Sequence, residues 1–390
     1  MRNFTLARRP NHGPALSFRF ISIWLAEALL LASCEFALNP NQLNTTVIPL
    51  SAAPSRISFN DMAYDEKLGK VIIPAGGTGQ LALIDPNTLE VKNISGFTES
   101  DAATNQAAGA ISAAVARGLI YVLDAGALKL DVIDPSSGKL LGSTALQAAP
   151  DYVRYVAATG ELWVTERVSE QIEVFKIPNT TPPIPISSGV ISVPNGPEVL
   201  LIDKTRGVAY TNEPTIGKTA VIQVQTRGII AEWGNGCSKA RGMALDEQHG
   251  LLFIACNEGK VVMLDTANGG QQVTSQNYGA GLDDIGYNPR LHHVYVPSGA
   301  SAILAIFGVD PAAGLTGAPS ATTIPTATPA EGSTVATALR LSLVRLGTAD
   351  TAVETKCLAT DDRDNIWVCD PNKGRVLLIK DTFPANGEGW

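Results

Sequence analysis

Charged side chains return at a regular interval along this chain of 390 residues. They form two series in which successive members lie 42–47 residues apart, and most members are acidic. Clustered carboxylates create a negative potential that attracts cations and hydroxyl-rich molecules, and close carboxyl groups shift each other's pKa. The first series comprises Asp151, Glu198, Arg241 and Asp283, and the second comprises Asp124, Glu166 and Glu213. We predict that these residues form a ligand site, provided that the fold gathers them.

A repeated apolar triplet indicates which elements would position them. Seven triplets begin with Ile or an aromatic residue, at intervals of 49, 42, 47, 43, 42 and 72 residues, and each follows a turn-forming segment. Short strands at this spacing, without helical periodicity, predict an all-β repeat, and about 45 residues is the length of a four-stranded propeller blade. Six of the triplets begin with an aromatic residue, and we expect these residues to pack between blades; the alternative is a ligand cage. They are Tyr121, Trp163, Tyr210, Phe253, Tyr295 and Trp367.

The charged series have a fixed phase relative to the triplets. The first lies twelve residues before each triplet, near the start of an innermost strand, and the second lies three residues after the triplet begins. Adjacent strands of a blade are antiparallel, so both positions fall at the same end of the blades. We therefore predict a ring of carboxylates, with Arg241 among them, at one mouth of the central channel. The structural alternative is an ordinary solvated rim, because strand ends are commonly polar.

Several segments resemble a known group of repeats. The sequences "LWVTE", "LDEQHGLLFIAC", "YNPRLHHVYVP" and "DNIWVCDPNKGRVL" are similar to YVTN-repeat propellers, which have WD40-like blades and are related in fold to the haem d1 domain of nitrite reductase. The resemblance covers residues 53–381 and implies a single seven-bladed β-propeller of four-stranded blades. It also implies a scaffold or a protein without assigned activity, although one fold hosts many unrelated functions.

Two further segments fit this frame. Residues 45–50 read as a lone strand before the first unit, which we expect to become the outer strand of the last blade and so to close the ring. The interval of 72 residues contains an insertion, about residues 317–337, rich in Ala, Thr, Pro and Gly. Residues 341–346 are then the delayed outer strand of blade six. Residues 34–52 form a linker with the closing strand, and residues 382–390 a tail.

The beginning of the sequence predicts export. Basic residues precede an apolar run over residues 20–32, which ends in Leu31-Ala32-Ser33-Cys34. Residues 1–33 therefore read as a signal peptide, and the ending resembles the lipobox of bacterial lipoproteins. That resemblance implies a lipid on Cys34 and attachment to the bacterial cell envelope through this lipid alone, on the periplasmic face or the cell surface. The alternative is an ordinary signal peptide or an uncleaved anchor.

Four cysteines remain after Cys34. In an exported protein an even number of cysteines favours disulfides. Cys357 and Cys369 flank the turn between the first two strands of blade seven, and hairpin pairing places them opposite each other. Cys237 and Cys256 flank the equivalent strands of blade five. We predict these two bridges rather than a zinc site, because the sequence has no Cys-x-x-Cys or Cys/His cluster of suitable spacing.

Most catalytic motifs are missing. The net charge of -8 argues against nucleic acid, and there is no Cys-x-x-Cys-His or Gly-x-Ser-x-Gly sequence. His292 and His293 have no acidic or Cys neighbour in sequence, so we interpret them as a packed or solvated pair. His249 and His292 belong to first turns, at the opposite end from the carboxylates, which disfavours haem-based electron transfer.

These observations favour a monomeric binding or interaction scaffold. Its expected partner is an envelope protein or a small cationic or polyol ligand. We predict no cofactor, although the carboxylates could accept a divalent cation. The resemblance to other propellers implies an alternative function, a metal-dependent enzyme of the lactonase or lyase type with a metal held by carboxylates of the channel.

Overall fold

The computed structural model describes residues 41–50, 56–100, 108–310 and 341–386. The predicted signal peptide, the lipid site Cys34, the insertion at 317–337 and the last four residues of the tail lie outside the described residues. No helix in the described ranges is long and apolar enough to span a membrane.

The described chain forms seven sheets, one for each predicted blade, and the four strands of each blade pair antiparallel. It begins with β1 (Gln42–Leu43) and β2 (Thr45–Pro49). Blade one comprises β3 (Ala63–Asp65), β4 (Lys70–Pro74), β5 (Thr78–Ile84) and β6 (Val91–Glu99); blade two comprises β7 (Ala110–Ala116), β8 (Leu119–Asp124), β9 (Lys129–Asp134) and β10 (Lys139–Ala145). Blade three comprises β11 (Val153–Val156), β12 (Glu161–Glu166), β13 (Gln171–Lys176) and β14 (Ile186–Ser192); blade four comprises β15 (Leu200–Asp203), β16 (Val208–Glu213), β17 (Lys218–Gln223) and β18 (Gly228–Gly234). Blade five comprises β19 (Ala240–Asp246), β20 (Leu251–Cys256), β21 (Lys260–Asp265) and β22 (Gln271–Asn277); blade six comprises β23 (Gly286–Asn288), β24 (His293–Ser298), β25 (Ile303–Asp310) and β26 (Ser342–Asp350); blade seven contains β27 (Leu358–Thr360), β28 (Asn365–Asp370) and β29 (Arg375–Lys380).

The core consists of apolar layers between neighbouring blades. The triplet strand of a blade is covered on both faces, as in β12 and β16, where every residue is buried. Trp163 of blade three, for example, packs with Leu200 and Ala209 of blade four. Val, Ile and aromatic side chains suit such pleated, fully covered strands. The expectation that the first residues of the triplets pack between blades is confirmed.

The ring closes as predicted. Strand β2 pairs antiparallel with β29, from Thr45 opposite Ile379 to Pro49 opposite Arg375, and supplies the fourth strand of blade seven. The innermost strands contact one another around the ring, and β27 of the last blade contacts β3 of the first. Strand β26 (Ser342–Asp350) confirms the prediction that the outer strand of blade six follows the insertion. One element was not predicted: β1 adds a parallel fifth strand to that blade, beside β26.

Both predicted disulfides are confirmed. Cys237 is bonded to Cys256 in blade five, and Cys357 is bonded to Cys369 in blade seven. Ala240, near Cys237, pairs with Cys256, and Leu358 and Val368, the neighbours of Cys357 and Cys369, pair with each other. Each bridge therefore links the first two strands of its blade, at the end where the predicted carboxylates lie.

Candidate functional site

Four blades bring the first charged series together at one end of the channel. Arg241 Nη1 donates to Glu198 Oε1 at 2.7 Å, and Arg241 Nε lies 3.6 Å from Asp283 Oδ1. Arg167, which follows β12 in a short 3-10 turn, adds a second guanidinium 2.8 Å from Glu198 Oε2. We call Asp151, Arg167, Glu198, Arg241 and Asp283 the mouth cluster. Arg241 thus connects the carboxylates of Glu198 and Asp283, which belong to blades four and six, and Arg167 adds a second ion pair to Glu198.

Asp151 is the member whose ionisation the structure disfavours most clearly. Burial, followed by the nearby Glu198 carboxylate, raises the pKa of Asp151 to about 6. Asn60 of blade one donates its side-chain amide to Asp151 Oδ1 at 3.0 Å, which partly opposes the rise. The mouth cluster therefore contains a carboxyl group that changes charge near neutral pH.

The second charged series lies at the same end of the blades but between them. Asp124 accepts the backbone amide of Thr98, in the outermost strand of blade one, at 2.7 Å. Glu166 accepts the amide of Ala148 at 3.1 Å. Glu213 is fully buried, neither of its oxygens has a hydrogen-bond partner, and burial raises its pKa. Within the described ranges, no side-chain hydrogen bond or ion pair joins Asp124, Glu166 or Glu213 to the mouth cluster.

A charged layer that the sequence analysis missed lies further along the inner strands. Arg154 donates from Nη1 to Asp61 Oδ2 at 2.7 Å and from Nη2 to Asp61 Oδ1 at 3.1 Å, which joins blade three to blade one. Ser112, on the intervening blade, also donates to Asp61 Oδ2. Paired hydrogen bonds of this kind fix both groups in orientation. We call Asp61, Arg154 and Asp284 the channel layer.

Asp284 completes the channel layer from blade six. Its carboxylate accepts the backbone amides of Ile285 at 2.9 Å and of Leu358 at 2.8 Å. These bonds favour the charged form, but burial outweighs them and raises the pKa of Asp284 to about 7. The channel therefore contains a second carboxyl group that is partly protonated at neutral pH.

The channel layer lines a cavity of about 310 Å³. The remaining wall is mostly apolar, with Val199, Leu201 and Met243 among its residues. Leu201 and Arg154 also line a larger cavity of about 920 Å³, which extends past Ala113–Ala116 toward the opposite ends of the inner strands. That cavity is bordered there by charged residues, namely Asp65, Glu66, Lys67, Arg117 and Lys204. The channel thus has mostly apolar walls, with the channel layer at one end and this charged border at the other.

A signal for the channel layer was present in the repeat. Arg154 lies nine residues before its triplet, a position held by Leu201 in blade four and by Leu358 in blade seven. Asp284 directly follows Asp283 of the first series, and Asp61 directly follows Asn60, which lies twelve residues before the triplet that begins at Ile72. A charged residue where other blades carry an apolar one could have identified this layer.

Asp151 gives a testable dependence of stability on pH. Its folded pKa, about 6, lies above the ordinary value of 3.8, so the folded state holds more protons than the unfolded state between these values. The stability that this proton contributes is present below the ordinary pKa and is lost as pH rises through about 6. Asp151→Asn keeps an acceptor for Asn60, and we expect a smaller fall in Tm between about pH 5 and about pH 8 than in the wild type. Equal slopes, measured by thermal denaturation across this range, would contradict the assignment.

Comparison with known proteins supports the architecture. No family model and no curated protein matches the sequence. A chain of the structure titled Kuenenia stuttgartiensis hydrazine synthase matches with a TM-score of 0.64 at 12% identity, covering 85% of this chain and 97% of that one. A chain from the mitotic checkpoint complex matches with a TM-score of 0.65 at 11% identity, covering 94% and 99%, and a streptogramin B lyase with 0.60 at 12%, covering 87% and 97%. At these identities the likeness shows the fold alone, and the chain is a seven-bladed β-propeller.

Proposed function

We propose that the protein is a binding propeller of the bacterial cell envelope, and that its channel takes up a small ligand with a cationic or hydroxyl-rich head group. The observation that carries the proposal is the channel layer: Asp61, Arg154 and Asp284 converge from three blades on an otherwise apolar cavity. The envelope location and the lipid on Cys34 rest on the sequence of residues 1–34.

The charges of the channel favour a cation over an anion. The mouth cluster and the channel layer together contain five carboxyl groups and three guanidinium groups. These groups carry two net negative charges when all are ionised, and fewer when Asp151 and Asp284 are protonated. A cationic head group would gain Coulomb energy beside Asp284, and hydroxyl groups could replace the water that such polar groups would otherwise bind.

The apolar walls suit the remainder of such a ligand. Volumes of about 310 and 920 Å³ lie in the usual range for small-molecule sites, which combine apolar walls with a few placed polar groups. We therefore propose an amphipathic ligand whose head group meets the channel layer and whose apolar portion contacts residues such as Leu201 and Ala113.

The same contacts favour binding over the lactonase or lyase alternative. Both oxygens of Asp61 are bonded to Arg154, and Asp284 accepts two backbone amides. The guanidinium of Arg154 already balances the charge of Asp61 and would repel a divalent cation placed beside that carboxylate. The likeness to streptogramin B lyase concerns the fold and does not extend to a site.

Calorimetric titration with three six-carbon probes tests the proposal: hexylamine, hexyl glucoside and hexanoate. At about pH 8 we expect hexylamine to bind about 10-fold more tightly than hexanoate, a difference of ~1.4 kcal/mol, with hexyl glucoside between them. The preference for the amine should shrink at about pH 5, where both raised-pKa carboxyls are protonated.

Two variants locate the binding site. Leu201→Trp fills the channel without changing its charge and should abolish binding of hexylamine and hexyl glucoside. Asp350→Asn removes an exposed charge on the outer strand β26 and should bind like the wild type. Absence of saturable binding by every probe, or unchanged binding by Leu201→Trp, would contradict the proposal. An envelope protein recovered by crosslinking while all probes fail would point to the scaffold alternative.

A further inference from the structure

A second group of titratable side chains lies away from the channel, between blades five and six. Asp246 ends β19, His249 follows in the turn to β20, and His292 lies in the turn before β24. The potential ligand atoms of these three residues all lie within 4.8 Å of one another. Asp246 Oδ2 is 2.8 Å from His249 Nδ1, and the hydroxyl of Tyr287 lies 2.6 Å from Asp246 Oδ2 and 3.0 Å from His292 Nδ1.

The structure separates the two histidines that the sequence analysis treated as one packed or solvated pair. His293 is fully buried, and its Nδ1 lies 2.7 Å from Asp381 Oδ2. His292 has a positive φ of 56° and lies on the side of Asp246, in the preceding blade. The acidic neighbour that was missing in sequence is thus supplied by a blade 46 residues earlier.

Blade four has the same turn with arginine in place of histidine, so the two turns can be compared directly. Asp203 Oδ1 accepts the backbone amide of Arg206 at 2.9 Å, as Asp246 Oδ1 accepts that of His249 at 3.1 Å. Arg206 Nη1 then pairs with Asp203 Oδ2 at 3.1 Å. In blade four, Arg206, which stays positively charged at any ordinary pH, therefore stabilises this turn. Blade five instead has an imidazole at that position, and blade six contributes a second one.

We propose that Asp246, His249 and His292 bind a divalent transition-metal ion, Zn²⁺ in the first instance. Two imidazole nitrogens and one carboxylate oxygen are a usual set of protein ligands for Zn²⁺, with water in a fourth position. Metal–ligand distances near 2 Å require ligand atoms closer together than 4.8 Å, so small side-chain rotations would contract the group around the ion.

The surroundings support such a site. The turn amide holds Asp246 Oδ1, and Oδ2 faces His249 Nδ1 and the Tyr287 hydroxyl, which in turn contacts His292. Metal-binding carboxylates and imidazoles are commonly oriented by such outer hydrogen bonds, a role that Tyr287 could also serve. The side chain of His249 is 21% exposed, so an ion can reach it from solvent.

Cobalt and zinc titrations of the full-length, chelator-treated protein, purified without a histidine tag, test this site. We expect one equivalent of Co²⁺ to give a visible absorption band and Zn²⁺ to displace it with micromolar affinity. His249→Arg recreates the Asp–Arg pair of blade four, so it should keep its Tm and lose about 100-fold in metal affinity. His292→Gln should lose affinity to a similar extent. Asp350→Asn, which removes an exposed carboxylate on the outer strand β26, is the control and should bind the metal like the wild type.

Three outcomes would overturn the proposal. They are the absence of saturable metal binding by the wild type, undiminished affinity in both His249→Arg and His292→Gln, and loss of the site in Asp350→Asn. If His249→Arg does not fold, His292→Gln decides the question, because His292 lies outside the turn that contains Asp246 and His249.

Discussion

Ile48→Asp is expected to open the propeller, whereas Val47→Asp is expected to leave it closed. Ile48 is 4% exposed and packs with Trp367 and Val376 of blade seven, while Val47, on the other face of β2, is 46% exposed. Burying an apolar side chain of this size contributes about 1.5–3 kcal/mol, and burying an unpaired carboxylate instead costs several kcal/mol more. The total approaches the 5–15 kcal/mol by which folded domains are usually stable.

Size-exclusion chromatography and thermal denaturation of the two variants check this prediction. Loss of β2 would expose the edge of β29, and an unpaired strand edge favours association with other chains. Ile48→Asp should therefore aggregate or melt far below the wild type, and Val47→Asp should elute and melt like it. A stable, monomeric Ile48→Asp protein would mean that the closing strand contributes little.

Arg154→Met is expected to destabilise the protein by about 3 kcal/mol, because it leaves the Asp61 carboxylate without its partner. Asp61 is 7% exposed and both of its oxygens receive hydrogen bonds from Arg154. Removing one member of a buried pair costs about 3–5 kcal/mol, and we expect the lower end because the side chain of Arg154 is 26% exposed. Urea denaturation at neutral pH measures the change.

A double variant separates the ion pair from packing. Asp61→Asn combined with Arg154→Met removes both charges, so it should regain most of the stability that Arg154→Met loses. Asp61→Asn keeps an oxygen that can accept from Ser112. If the double variant is as unstable as Arg154→Met, the loss comes from the volume of the arginine and not from the orphaned carboxylate.

The sequence predicted the fold well because each blade repeats the same local pattern. Seven triplets at regular intervals fixed the number of blades, and hairpin register alone was sufficient to pair Cys357 with Cys369. The closing strand was recognisable because residues 45–50 precede the first complete unit. Strand β1 was missed, since two residues carry no periodicity of their own.

The candidate site was predicted only in part, for a structural reason. Asp151 and Glu198 precede innermost strands, so a correct phase placed them at the channel. Glu166 and Glu213 end triplet strands, which neighbouring blades cover on both faces, and these side chains are therefore buried between blades. The histidine group escaped prediction because it depends on a contact between blades, and the channel layer was missed because its charged residues depart from the repeat pattern.

The pairing of β2 with β29 also determines when this protein can complete folding. Thr45 is among the first described residues to be synthesised, yet its partner Ile379 follows 334 residues later. Six blades can form from local hairpins as the chain grows, but the ring has no final form until this last contact is available. Contacts of such long range slow folding, and a partly finished ring exposes strand edges meanwhile. A ribosome that stalls even shortly before Arg375 would thus release an open chain that quality control should recognise and degrade.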